Sequence, residues 1–165
     1  MPDRELIIDE AKAWGWSAAL GLLAAYFLWN RGDYGILDAF ELAIHEAGHL
    51  FFAPFGEFLR MAGGTLLQLI VPVALVLGFN KGDYRPGVQF SLLLLGHSLL
   101  NVSVYAQDAR RQILPLVGGR HARHDWNWML DTMGILEFDQ EVGWFFVVLA
   151  IVVFGLMIVA PKAMP

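Results

Sequence analysis

Cysteine is absent from this 165-residue chain, which excludes disulfides and thiolate-bound metals, so any metal ion must be held by nitrogen and oxygen ligands. Charge is scarce as well. Only 16% of the residues are Asp, Glu, Lys or Arg, against 57% hydrophobic, and mean hydropathy is +0.53. A soluble domain carries about 25% charged residues, so an ordinary water-soluble fold is excluded. The formal net charge is -5; with no dense Lys/Arg cluster, neither a nucleic-acid surface nor an anionic-lipid anchor is expected. Internal repeats and low-complexity segments are lacking too, and the chain reads as one domain over residues 1–165.

Long uncharged runs stand where the charges are missing. Met61 to Phe79, Val88 to Ala106 and Val142 to Ala160 contain no acidic or basic side chain, and each is about as long as a bilayer-crossing helix requires. Trp14 to Trp29 is a shorter fourth run, which Leu6 to Ile8 extend and whose Trp and Tyr residues suit the membrane interface. Its leading region holds Asp3, Glu5, Asp9 and Glu10 where a signal peptide is basic, so a retained helix is expected. The expected fold is all-α, a polytopic membrane bundle of about four to five transmembrane helices with the lipid bilayer as its surroundings. If five helices span, Arg4, Lys12, Arg60, Arg110, Arg111, Arg120 and Arg123 share one side, which points to a cytoplasmic N-terminus in a bacterial inner membrane.

Within this apolar background, Ile36 to Leu59 reads as a helix that is not lipid-facing, since Asp38, Glu41, His45 and His49 recur at spacings of three or four and form a polar stripe. Pro54 and Gly56 weaken or end it. Ionisable groups at membrane depth are costly unless they face a protein interior or a wet cavity, which makes the stripe a functional candidate. Its centre is His45-Glu46-Ala47-Gly48-His49. Residues i and i+4 share a helix face, so both imidazoles can reach one tetrahedral Zn2+ ion while Glu46 serves as general base for hydrolysis of an amide.

Two histidines leave a catalytic zinc site one protein ligand short. His124, Asp125, Asp131, Asp108 and His97 are the candidates, and Asp125 is preferred. It belongs to His124-Asp125-Trp126 in the one long hydrophilic stretch, residues 107–141, where Trp126 and Trp128 can seat the segment at the interface and lead it back to the helices. Gly64, Gln68 and Pro72 align on the second long run, and His97, Asn101 and Asp108 lie roughly along one side of the third. These residues suggest helices converging on one polar pocket, with Gly63 and Gly64 allowing close packing. Asn101, ahead of Gln68 and His97, is the expected hydrogen-bond donor to a developing oxyanion. Asp38 or Glu41 would orient a ligand imidazole.

A HEAGH element inside a hydrophobic segment, a Gly-Gly helix with Gly63, Gly64 and Gln68, and a distant aspartate together resemble the site-2 protease class of intramembrane zinc metalloproteases. The resemblance covers roughly Asp38 to Trp128. It implies His45 and His49 as zinc ligands, Glu46 as catalytic base, Asp125 as third ligand and transmembrane protein segments as substrates. The chain departs from that class in having His124-Asp125-Trp126 or Leu130-Asp131-Thr132 in place of Leu-Asp-Gly, and in having Val102 after Asn101 where an Asn-Pro element is usual. A second reading is an inactive, metallopeptidase-like subunit packed on partner subunits of a larger membrane complex. A third is a b-type haem or quinone protein using His45, His49 and His97, disfavoured because two of these histidines share one helix face.

Overall fold

The computed structural model describes the backbone of residues 4–119 and 122–163 and the side chains of 14–119 and 122–160. Arg120 and His121, together with the side chains of Arg4 and Lys12 that entered the charge-sidedness argument, lie outside the described residues. The described residues form α1 (Arg4–Trp29), α2 (Ile36–Phe52), α3 (Glu57–Lys81), α4 (Arg85–Gln107), α5 (Asp125–Thr132) and α6 (Asp139–Ala163), with single 3-10 turns at Ala53–Phe55 and Leu136–Phe138. Among them there is no β-strand.

Three helical stretches are long and apolar enough to cross a bilayer: Glu57–Lys81, Arg85–Gln107 and Leu136–Ala160. They contain the three uncharged runs. The apolar part of α1, Trp14–Trp29, is shorter, and α2 stops at 17 residues. It stops there because Pro54 enters a 3-10 turn and Gly56 adopts φ 99°, a left-handed conformation that glycine tolerates. The expected helix through Leu59 is therefore two helices, with α3 starting at Glu57.

Burial identifies α4 as the central helix. It packs most extensively on α6 and also against α3, while α1 rests on α4 and α6, and α2 rests mainly on α3. Leu20, Leu93, Leu100, Ala150, Phe154 and Met157 form one apolar cluster between α1, α4 and α6; Met61, Val102, Ala106, Trp126, Met129 and Leu130 form another between α3, α4 and α5. Leu77, Val148, Ile151, Val152 and Leu156 are exposed, an arrangement that is costly in water and neutral against lipid chains.

The described part of residues 107–141 carries a network of hydrogen bonds and a helix, α5. The Asp108 carboxylate accepts the N–H groups of Ile113 and Leu114 at 3.1 and 2.9 Å, and Arg110 is paired with the buried Asp139 at the start of α6. These bonds turn the chain back over the helices, where α5 packs on α3 and α4.

Candidate metal centre

The i, i+4 spacing on α2 puts the His45 and His49 rings side by side, with centroids 4.8 Å apart. Their Nε2 atoms converge on one oxygen of Asp125, at 3.0 Å from His45 and 3.2 Å from His49. One ligand atom from each residue lies within 4.8 Å of the other two, so the three can hold a metal ion. His45 and Asp125 are buried, and His49 and Glu46 are half-buried.

The other face of each ring determines what its Nε2 presents. Nδ1 of His49 lies 2.7 Å from the main-chain oxygen of Arg60; a carbonyl only accepts, so Nδ1 carries the hydrogen. Nδ1 of His45 lies 3.2 Å from Oε1 of Gln68. The Gln68 amide is turned that way because its Nε2 donates to Asn101 Oδ1 at 3.0 Å and to Glu41 Oε2 at 3.3 Å. In their neutral forms both imidazoles therefore aim a lone pair at a carboxylate oxygen. Acceptors facing one another in this way are satisfied by a proton or a metal ion between them, and an imidazole–imidazole–carboxylate set is one that zinc accepts.

Asp125 owes its position to α5 and to Tyr105. It occupies the first turn of α5, where the helix dipole favours an anion. The Tyr105 hydroxyl donates to Asp125 Oδ2 at 3.2 Å and accepts the Asp125 backbone N–H at 3.1 Å. Tyr105 lies four residues beyond Asn101 and eight beyond His97, so its helical phase was the signal that it belongs to the site.

The other candidate third ligands are placed elsewhere. Asp131 is exposed near the far end of α5. His124 is fully buried, caps α5 by accepting the Asn127 N–H at 3.2 Å, and turns Nε2 toward Asp108 at 3.5 Å; burial pulls its pKa below the ordinary value. Asp108 is engaged by the loop, and His97 sits with Asp38 and Glu41. Asn101 donates to Asp38 Oδ1 at 2.9 Å while accepting from Gln68, so it is built into the network that orients His45.

Close approach of α2 and α3 sets the His45 ring against the α3 backbone. A Cβ on Gly48 would overlap the backbone of Gly63 and Gly64, and one on Gly64 would overlap the His45 ring. The glycine inside HEAGH therefore has a packing reason that the motif alone does not reveal. A cavity of about 1100 Å³ opens over the site, lined by His45, Glu46, His49, Asn101 and Asp125 and walled by apolar residues such as Phe27 and Leu42. No family model, curated protein or solved structure matches this chain.

Proposed function

We propose that this protein is a membrane-embedded zinc metallopeptidase of the site-2 protease type, hydrolysing peptide bonds of transmembrane protein substrates. The observation that carries this reading is the convergence of His45 Nε2, His49 Nε2 and Asp125 Oδ2 beside Glu46 in one large cavity. The apolar stretch of α1 serves as a fourth span. The short α2, with its line of ionisable groups, is sheltered by α3 and α4.

His45, His49 and Asp125 would hold the zinc ion, with Gln68 and the Arg60 carbonyl keeping both rings in the tautomer that can ligate it. When bound, the ion would supply Lewis acidity toward a substrate carbonyl and a water molecule. Glu46 makes no hydrogen bond to another described residue and lines the cavity, which leaves its carboxylate available to take a proton from water and return it to the departing amine. Phe27, Leu42 and neighbouring apolar side chains give an unfolded stretch of a membrane segment a surface of matching polarity. Asn101 acts through Asp38 and Gln68, keeping the polar wall of the cavity in register.

The test is Glu46→Gln in the native host, read by quantitative proteomics of the membrane fraction together with metal analysis of the purified protein. Accumulation of an uncleaved membrane protein with zinc retained is the expected result. Unchanged processing with zinc retained removes the peptidase reading and leaves a metal-stabilised subunit of a larger complex.

A further inference from the structure

The polar stripe of α2 runs on past the HEAGH element toward its N-terminal end, and there it meets α4 in a second group. We propose that Asp38, Glu41 and His97 form a second site, which takes a divalent metal cation. This goes beyond the peptidase reading and does not rest on it.

One ligand atom from each of the three residues lies within 4.8 Å of the others. His97 Nδ1 is 2.9 Å from Glu41 Oε1, and His97 Nε2 is 4.0 Å from Asp38 Oδ2. The His97 side chain is 10% exposed, and its Nε2 makes no hydrogen bond among the described residues. A side chain nine-tenths buried whose Nε2 faces a carboxylate beyond hydrogen-bond range leaves room for something between the two groups.

Charge supports the same conclusion independently. Neither Asp38 nor Glu41 is paired with a Lys or Arg among the described residues. Arg31, which lines the same cavity, donates to the Ser103 hydroxyl at 3.1 Å and lies over the Trp144 ring. Two carboxylates and a neutral imidazole sum to a double negative charge, which one divalent ion cancels; a proton on His97 cancels only half. Uncancelled charge is expensive among helices built to face hydrocarbon.

The surroundings are those of metal-binding carboxylates, which are themselves hydrogen-bonded. Ser98 donates to Glu41 Oε1 at 2.8 Å and Gln68 to Glu41 Oε2. Asn101 and the Gly35 backbone N–H donate to Asp38, at 2.9 and 2.8 Å. A donor set of one nitrogen and two oxygens suits zinc, manganese, iron(II) or cobalt(II) and excludes copper(I). Gln68 stands between the groups, accepting from His45 and donating to Glu41, so the second ion would buttress the first site through a single amide.

The experiment strips the full-length protein in detergent with a chelator, reloads it separately with zinc and with cobalt(II), and counts bound metal by elemental mass spectrometry. The wild type is expected to hold about two equivalents, and His45→Ala/His49→Ala and Asp38→Asn/His97→Gln about one each. One wild-type equivalent that survives loss of His45 and His49 but disappears with Asp38→Asn/His97→Gln supports the second site and overturns the HEAGH centre instead. One equivalent that follows His45 and His49 overturns the second site, and absence of metal overturns both. The wild-type stoichiometry keeps the proposal falsifiable even where a variant fails to fold.

Discussion

Gly64 lies directly against the imidazole of His45, and the space between α2 and α3 at that point has no room for a side chain. Gly64→Ala is therefore expected to displace the ring from Asp125 while leaving the span in place, at a cost of about 1–3 kcal/mol for overpacking. Metal titration of the purified variant checks this, with affinity falling roughly 10–100-fold. Gly78→Ala is the control, since nothing lies within 4 Å of the added methyl; equal losses in both variants would count against the His45 contact.

Tyr105 bonds the carboxylate and the backbone N–H of Asp125 with one hydroxyl. Tyr105→Phe keeps the ring that packs edge-on to His45 and removes only that hydroxyl. Metal affinity is expected to drop by roughly 10-fold or more, with helix content by circular dichroism unchanged. Full affinity would mean that α5 alone positions Asp125.

Replacing Asp125 by Ala should abolish stoichiometric zinc at the His45–His49 pair, whereas Asp131→Ala and Arg123→Ala should retain it. Asp131 is exposed, and Arg123 forms an exposed ion pair with Glu57 at 2.7 Å, the kind of contact that contributes about 0–1 kcal/mol. Elemental analysis of the three variants separates these outcomes, and zinc loss in Asp131→Ala would reassign the third ligand.

His124 supplies a pH test of the folded loop in chelated protein. Burial lowers its pKa in the folded state, so below about pH 6.5 the unfolded chain takes up a proton that the folded chain refuses. Its contribution to stability is thus full above that pH and declines as pH falls toward the depressed folded value. The melting temperature of the wild type should drop more steeply on acidification than that of His124→Gln; parallel profiles would show that His124 titrates alike in both states.

The three uncharged runs became membrane-length helices because nothing else can hold 19-residue apolar stretches together in a chain with so few charges. The polar stripe of α2 was legible for the same reason: helical periodicity is a local property, and four ionisable residues in phase cannot all face lipid. Glu41, His45, His49 and Glu46 could be picked out without any knowledge of their neighbours.

Residues 107–141 show where local pattern stops. Hydrophilic composition made them a loop, yet among the described residues Asp108, Arg110 and Asn127 tie the segment to itself through bonds to Ile113, Leu114, Asp139 and Ala109, partners up to 29 positions apart, and α5 packs on α3 and α4. Residue type alone made His97, Asp108, His124, Asp125 and Asp131 all suitable ligands, and only the neighbouring Trp126 and Trp128 put Asp125 first.

The sequence by itself determined the all-helical class, the helices long and apolar enough to cross a membrane, and the HEAGH histidine pair with the acid beside it, since these depend on composition and on 3.6-residue periodicity alone. Only the tertiary structure decided that Asp125 meets both imidazoles, that Tyr105 holds Asp125 and Gln68 holds His45, and that Asp38, Glu41 and His97 gather apart from them. Those contacts join residues as much as 80 positions apart, brought within reach by helix packing that turns on glycines at two crossing backbones.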